Sequence, residues 1–290
     1  MLFAFMVYGQ NKVLLKVYHK DESINQYPIT DIENISFTQG NDFLTIKVYY
    51  ESVFFDRYFT SSIDSITISK DLFENNYFNI YFKETEKKYN INWIDSLIIK
   101  EIETAVIGNQ IWMAENLDVC TFRNGEQIIE IKNNSDWCET KVAAWCHYNN
   151  DNNKGIIYGK LYNWYAVCNR KGLAPYGWAV PRDDDWQELI MYLGGDSTAG
   201  GLLKESDYEH WLKPNTSANN LSGFSALPGG KRYFTGIFDY EGISGYWWTT
   251  TDGSDSSAWC RSLSSKSAAV TRIVYPKIDG LSIRCIKKKE

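Results

Sequence analysis

Alternation of apolar and polar residues is the dominant pattern in the first third of the chain. It is plainest in the segment LTIKV at 44–48, where every second residue is apolar. A period of two is typical of a β-strand with one buried face. Residues 13–17 and 78–82 show the same pattern, and the sequence therefore predicts an all-β domain over residues 11–103.

A repeat of about 31 residues organises these strands. Its copies contain the phrases DIENISF, SIDSITI and WIDSLII, whose isoleucines Ile32, Ile63 and Ile94 lie 31 residues apart. A tyrosine stands five residues before each isoleucine, at Tyr27, Tyr58 and Tyr89. Such repetition indicates one supersecondary unit used three times, here a hairpin, a short turn and a further strand. The pattern leaves a trefoil-like arrangement and a curved sheet both open.

A helical period appears after residue 155. One apolar stripe consists of Trp186, Leu189, Ile190 and Leu193. The aspartates at 183–185 precede it and supply caps and favourable charge, while the glycines at 194–195 favour a left-handed stop. The spacing of Leu161, Trp164, Tyr165 and Cys168 predicts an earlier helix from Gly159 to about Cys168, with a Pro/Gly turn at 172–178 between the two.

Strands and turns account for most of the remaining C-terminal part. We expect an opening strand at 107–117, a hairpin turn at Asn124-Gly125 leading into 127–131, and a turn at Gly229-Gly230. A short helical turn is expected at 199–204. The later strands are predicted at 245–251, 258–263, 269–275 and 281–286.

Five blocks in this part carry a family resemblance. They are YGKLYNWYAV, GLAPYGWAVPRDDDWQEL, GFSALPGGKR, GYWWTTT and GLSIRCIK. In this order they resemble the Fibrobacter succinogenes major paralogous domain, which occurs in secreted and surface proteins of Bacteroidetes and Fibrobacteres. The resemblance covers roughly residues 107–287. It implies an α+β, C-type-lectin-like domain over 104–290, similar also to formylglycine-generating enzymes, with a final strand that returns to the first. One fold hosts many activities, so the resemblance names no ligand.

The resemblance also bears on the six cysteines, at 120, 138, 146, 168, 260 and 285. Their spacings match no zinc site, and an even number in a secreted domain favours disulfides. Cys146 and Cys285 stand where the family has cysteine, which makes them the first candidate pair. The family's turn has a cysteine where this chain has Ala174.

Charge and the N-terminal segment narrow the class of protein. The net charge is −6, and the basic cluster at 287–289 is a solvated tail, so we expect no nucleic-acid partner. Residues 1–10 begin with eight apolar positions, too few to span a bilayer. They are interpreted as a residual signal-like segment or, alternatively, as a buried first strand. We therefore expect a secreted or cell-surface protein, peripheral or anchored rather than membrane-spanning.

Catalysis and metal binding find little support. The histidines His19, His147 and His210 form no triad spacing. The acidic loops at 151–153 and 252–255 match no calcium motif. No cofactor, no metal and no enzyme activity are expected. Cys260 and Cys285 are similar to the paired cysteines of formylglycine-generating enzymes, which leaves such an enzyme as an alternative. A structural module of a surface or fimbrial assembly is a second one.

Ligand recognition is the favoured function. The aromatic content of 16% suits a core of large rings, with the remainder available for a sugar- or protein-binding surface. Serine and tyrosine on loops of a rigid scaffold are typical of adaptable recognition surfaces. We expect a glycan or protein ligand on the face built by residues 254–275, and the candidate contacts are Ser254, Asp255, Ser257, Arg261, Ser262, Ser264, Lys266, Thr271, Ile273 and Tyr275.

The same segment resembles the C-terminal segment of lectin-fold proteins that retroelements diversify. In those proteins the residues that replace Asn belong to a small set, which includes Ser, Thr, Ile and Tyr. The hypothesis predicts codons ending in C or T and outward side chains on one face at Ser262, Ser264, Thr271, Ile273 and Tyr275, with Trp247, Leu263 and Ile283 buried beneath. An ordinary polar loop region is the alternative.

Overall fold

The computed structural model describes residues 3–9, 12–18, 24–28, 34–35, 44–50, 54–59, 65–70, 76–81, 85–90 and 94–288. The chain divides into two compact units. The first comprises residues 1–102 with 119–127 and 175–177, and the second comprises 103–118, 128–174 and 178–290.

The first unit is built of strands. They are β1 (Phe3–Gly9), β2 (Lys12–Tyr18), β3 (Ile24–Pro28), β4 (Asn34–Ile35), β5 (Leu44–Tyr50), β6 (Phe54–Phe59), β7 (Ser65–Lys70), β8 (Asn76–Tyr81), β9 (Glu86–Asn90) and β10 (Ile94–Glu101). One sheet has the order β3-β2-β1-β10-β5-β6 and the other β4-β7-β8-β9. The segment at 3–9 is thus a strand, paired with β2 and β10.

Each repeat contributes an antiparallel hairpin, namely β2–β3, β5–β6 or β8–β9. The first two hairpins share the six-stranded sheet, whereas the third lies in the four-stranded one. Ile66 and Ile80 face each other across β7 and β8 and are fully buried. Ile32 and Ile63 lie outside the described residues, and a domain of three equivalent repeats stays a prediction.

The second unit mixes helices and sheets, which confirms the α+β class. It opens with β11 (Thr104–Ile107) and β12 (Gln110–Met113). The last strand, β22 (Ile286–Lys287), lies between β12 and β16 (Trp178–Ala179). Trp112 pairs with Ile286, so the end of this unit returns to its beginning as expected.

The predicted helix from Gly159 to Cys168 is wrong. The helix α1 (Asn134–Glu139) precedes this region, and α2 (Asn152–Tyr158) ends where Gly159 takes a φ of 72°. Leu161–Tyr162 then forms β15, beside β14 (Ala144–Cys146) and β13 (Ile129–Glu130). Only α3 (Trp164–Val167) is helical, because the Asn163 side chain accepts from the Ala166 N–H at 3.1 Å and begins a new helix there.

The second helix is confirmed as α4 (Asp183–Tyr192), with Trp186, Leu189 and Ile190 buried. Asp185 accepts from the Arg182 N–H at 2.7 Å, which is the capping role expected of the acidic run. The short helix α5 (Ala199–Leu203) follows as predicted.

A five-stranded sheet completes the unit. It consists of β17 (Gly229–Arg232), β18 (Phe238–Glu241), β19 (Ser244–Asp252), β20 (Ser257–Ser264) and β21 (Val270–Pro276), in the order β18-β17-β19-β20-β21. The turn predicted at Gly229-Gly230 is wrong, since Gly230 lies inside β17 and pairs with Gly245. A continuous strand over 281–286 is likewise wrong, because Leu281 and Ser282 form isolated bridges and only Ile286 belongs to a strand.

The core of this unit is aromatic. The ring of Trp186 lies 5.1 Å from Trp112, 5.5 Å from Phe224 and 6.1 Å from Trp247, measured between centroids. Leu263 and Ile283 are also buried. The rings of α4 and β19 therefore hold the five-stranded sheet against the rest of the unit.

The expected disulfide is not formed. All six cysteines, each among the described residues, are thiols. Cys146 packs with Trp137 and Tyr148 in one core cluster, and burial raises the pKa of its thiol to about 12. The Cys285 carbonyl instead accepts from the Met113 N–H, beside β12. The two cysteines therefore belong to different parts of the core.

Candidate functional site

The two faces of the five-stranded sheet have different surroundings. Ser262 pairs with both Tyr246 and Thr271, and Arg261 with both Trp247 and Arg272. Residues directly opposite each other share a face, and successive residues alternate. We call one side the helix face, because Trp247, Leu263 and Val270 pack there with Trp186 of α4. The other side is the tyrosine face, with the members Lys231, Tyr233, Tyr240, Tyr246, Ser262, Ser264, Thr271, Ile273 and Tyr275.

The tyrosine face contains five of the candidate contacts. They are Ser262, Ser264, Thr271, Ile273 and Tyr275, which the register of β20 and β21 places on one side. Thr271 is exposed and the other four are half-buried. Their codons decide the diversification hypothesis, which stays a prediction.

The remaining polar candidates lie at opposite ends of β20. Ser254 and Asp255 are exposed in the β19–β20 turn, where the Ser254 and Ser257 hydroxyls are 2.8 Å apart. Lys266 is exposed in the β20–β21 turn. A strand of eight residues spans about 25 Å, so the two turns do not form one contact set.

Arg261 points the other way. It lies on the helix face, 1% exposed, and its Nε donates to Asp183 Oδ1 at 2.8 Å. The other oxygen of Asp183 accepts from Arg272 Nε at 2.7 Å. Asp183 is therefore more than a cap, because it ties α4 to both β20 and β21. Arg261 acts in packing rather than at the surface where a ligand contact was expected.

The buried side chain of Lys204 holds the β20–β21 turn through hydrogen bonds. Its amine donates to the carbonyls of Ser264, Ser267 and Thr216 at 3.0, 2.9 and 3.0 Å. Burial lowers the pKa of Lys204 to about 8, so the ammonium persists at neutral pH. The turn that flanks the tyrosine face is thus held by a buried cation.

Four tyrosines surround a buried lysine on the tyrosine face. Lys231 is 1% exposed, and its Nζ lies 3.4 Å from the ring centroid of Tyr275. The centroids of Tyr233, Tyr246 and Tyr240 follow at 4.1, 5.2 and 5.9 Å. Ring faces attract a cation most strongly when water is excluded. The four tyrosine rings therefore stabilise the buried ammonium of Lys231.

Gly230 brings the lysine into this position. Its φ is 61°, and a Cβ there would lie 2.5 Å from the carbonyl oxygen of Asp239 and 2.7 Å from the ring of Tyr148. Only glycine permits β17 and β18 to approach so closely. Lys231, the next residue, is thereby placed under the tyrosines.

Burial shifts the pKa values of the cluster, and hydrogen bonds join its tyrosine side chains in pairs. Burial raises the pKa of Tyr275, and its hydroxyl is hydrogen-bonded to that of Tyr246. Burial also raises the pKa of Tyr233, which is bonded to Tyr240. Burial lowers the pKa of Lys231, with Asp279 opposing that shift. Burial also raises the pKa of Tyr246, so Tyr233, Tyr246 and Tyr275 are neutral hydroxyl donors and acceptors at physiological pH.

Asp279 is the carboxyl whose charge raises the pKa of Lys231 most. Burial raises the pKa of its carboxyl to about 6, with Lys231 and a backbone N–H opposing the shift. Its Oδ1 accepts from the Phe234 N–H at 2.7 Å. Its Oδ2 is buried and has no hydrogen-bond partner among the described residues.

Most of this cluster is not predicted by the sequence pattern. Tyr246 is buried, at 7% exposed, and no pattern indicates a role for Lys231, Tyr233, Tyr240 or Asp279. The available signal is Lys231 followed by Tyr233, Tyr240 and Tyr246. It becomes meaningful only when β17 and β21 are known to flank β19 and β20.

Other groups with potential chemistry are more ordinary. Glu205, Glu209 and His210 have potential metal-ligand atoms within 4.8 Å of one another. However, His210 Nδ1 is already 2.9 Å from Glu205, so one ring nitrogen serves a hydrogen bond. His147 is buried, which lowers its pKa to about 4. Cys260 and Cys285 are both fully buried.

The comparisons with known proteins identify one family. The model of the Fibrobacter succinogenes major domain matches residues 106–287, more than half of the chain. No curated protein and no solved structure matches the chain. Among the described residues, no helix combines the length and apolarity that a membrane span requires.

Proposed function

The chain belongs to the Fibrobacter succinogenes major domain family, and from this premise we propose that it is a secreted or cell-surface binding protein. Its C-terminal unit recognises a glycan or protein ligand through the tyrosine face. The observation that carries the proposal is the ring of four tyrosines around Lys231, beside the exposed Thr271. A C-type-lectin-like fold for this unit is part of the proposal.

The composition of the tyrosine face supports binding. Tyrosine supplies large, rigid contact area with a polar end, and small hydroxyl side chains supply adaptable hydrogen bonds. Tyr275, Thr271 and Ser262 provide both on adjacent strands. The face rests on a rigid core of tryptophans, which limits the entropy lost when a ligand orders it.

Burial of the candidate catalytic groups favours a binding protein over an enzyme. A formylglycine-generating enzyme requires two thiols accessible to substrate, whereas Cys260 and Cys285 are fully buried. Burial raises the pKa of the Cys260 thiol, with Lys231 opposing, which disfavours the reactive thiolate. We include no cofactor, no metal and no nucleic acid in the proposal.

Arrays of surface glycans and of extracellular proteins, probed with the full chain, test the function. We expect binding on one of them, and the Tyr275→Ala variant should weaken it at least about tenfold because a central aromatic contact is lost. The matched control is Tyr192→Ala, since Tyr192 is 67% exposed on α4 and should bind normally.

Two results would count against the proposal. Binding that survives Tyr275→Ala would place the ligand elsewhere on the molecule. The absence of any ligand on both arrays would favour a structural module of a surface or fimbrial assembly. Fractionation of the producing cells checks the location, and a soluble cytoplasmic pool of the full chain would contradict it.

A further inference from the structure

Two buried groups of the tyrosine face lack the partners that their chemistry requires. Lys231 and Asp279 are each 1% exposed. Among the described residues, the Lys231 amine contacts tyrosine rings and forms no hydrogen bond. Asp279 uses only one oxygen, toward Phe234, and its Oδ2 has no partner. Buried polar groups nearly always have hydrogen-bond partners in folded proteins. Both groups therefore have unused capacity for a polar ligand.

The backbone places the two groups on the same side of an antiparallel pair, with Asp279 opposite Tyr233 and Lys231 opposite Leu281. Gly280 pairs with Arg232, and its N–H donates to the Arg232 carbonyl at 2.7 Å. Lys231 and Asp279 each precede one member of this pair, so their side chains point to the same side. No ion pair within 4.0 Å joins the two side chains, and Asp279 Oδ2 has no hydrogen-bond partner among the described residues, so each group can still accept a further polar partner.

The two groups require opposite hydrogen-bonding functions in that ligand. An ammonium requires an acceptor, and an ionised carboxylate requires a donor. A hydroxyl is both, and two adjacent hydroxyls can serve both groups at once. An anion would satisfy Lys231 but would be repelled by Asp279, and a cation would meet the reverse.

The surrounding rings add a second requirement. Tyr233, Tyr240 and Tyr275 are half-buried, and their ring centroids lie within 5.9 Å of the lysine amine. Aromatic walls with a few convergent polar groups are typical of small-molecule sites. A pyranose ring fits both requirements, because one side presents C–H groups and its edge presents hydroxyls.

We propose that the tyrosine face binds a carbohydrate, with adjacent hydroxyls of one sugar ring held between the Lys231 amine and the Asp279 carboxylate and the ring stacked on tyrosine. The inference rests on the proposed function and narrows its ligand to a glycan. Ser262 and Thr271, on the same face, contact the next sugar. The binding requires no calcium, because the protein's own ammonium and carboxylate bind the hydroxyls.

Saturation-transfer NMR with the full chain tests this directly. The probes are methyl α-mannoside, methyl β-glucoside and methyl β-galactoside, which differ in the arrangement of their hydroxyls, each with and without EDTA. We expect saturation transfer to at least one probe, unchanged by EDTA. Asp279→Asn should reduce the affinity at least about tenfold, as expected when a hydrogen bond to a charged group is lost. Tyr192→Ala is the control and should bind like the parent protein.

A second variant covers the case in which Asp279→Asn fails to fold, as checked by circular dichroism and thermal unfolding. Lys231→Met keeps the apolar stem and should also abolish saturation transfer. Binding that is unaffected in a folded variant of either residue overturns the inference, and so does transfer to none of the three probes. A positive protein array would then leave the proposed function standing. Negative results on both arrays would remove the two together.

Discussion

Asp183 is the residue on which the sheet and the main helix depend together. Its carboxylate accepts from Arg261 and Arg272, on adjacent strands, while it begins α4. Arg261 is 1% exposed, so its charge has little access to water. The position of α4 on the helix face therefore depends on one buried carboxylate.

Replacing this carboxylate should be costly. Asp183→Asn leaves Arg261 buried without its main counter-charge, and breaking a buried ion pair costs about 3–5 kcal/mol. Urea unfolding of the full chain measures the loss. Asp184→Asn is the control, since Asp184 is exposed in the same helical turn, and its effect should stay within about 0.5 kcal/mol. Equal effects of the two substitutions would show that the ion pair adds no stability.

Residue types alone could not place these side chains. Arg261 and Ser262 are neighbours in sequence, but they point to opposite faces because strands alternate. Both residues are ligand contacts in the sequence-based prediction, and only Ser262 lies on the tyrosine face. Which face α4 covers is a tertiary fact, and nothing within 254–275 encodes it.

At the scale of the elements, the β20–β21 hairpin is fastened by Lys204. Lys204 is the residue directly after α5. Its amine donates to the carbonyls of Ser264 and Ser267 in the turn of the hairpin. The helix itself packs closely, since a Cβ on Gly200 would lie 2.7 Å from the Ala268 carbonyl oxygen. The end of the tyrosine face is therefore set by α5 rather than by the turn sequence.

Lys204→Met tests this fastening. The substitution keeps the apolar stem but removes the ammonium that donates to the carbonyls of Ser264, Ser267 and Thr216, which should cost at least about 2 kcal/mol. Hydrogen exchange should accelerate at residues 264–268. Lys266→Met changes an exposed lysine in the same turn and should alter neither quantity. Unchanged exchange in Lys204→Met would mean that the turn holds its shape unaided.

The elements that local pattern predicts correctly are those with a complete local signal. The helix α4 has a stripe, an acidic start and a glycine stop within one segment. The region 159–168 has the stripe only, and Gly159 and Asn163 divide it into a strand and one helical turn. Caps and breakers outweighed the apolar spacing there.

At the scale of the whole molecule, the thiols are the plainest departure from expectation. Cys138 and Cys168 are exposed, whereas Cys120, Cys146, Cys260 and Cys285 are buried. In the native protein we expect a thiol reagent to modify the two exposed cysteines, with Cys168 reacting slowly because burial of its thiol raises the pKa to about 12. In denaturant all six should react. Intact mass counts the adducts. A smaller number in denaturant would mean that a disulfide had formed.

The family was predictable from five blocks, but the site was not. Lys231 and Asp279 are far apart in sequence, and Tyr275 comes from a third segment. They meet because β17, β19, β20 and β21 are adjacent in the sheet and because Gly280 pairs with Arg232. Long-range pairing of this kind leaves no trace in the period or composition of any single segment.

The pairing of Trp112 with Ile286 has a mechanical consequence. The unit opens at β11, which pairs with β12, and β12 also pairs with the last strand, β22, so tension along a longer polypeptide is carried within this one sheet and bypasses the tyrosine face. A unit with this plan can be spliced into a host protein as a side branch, because its two junctions already lie together. Load and recognition then fall on separate parts of the same small fold.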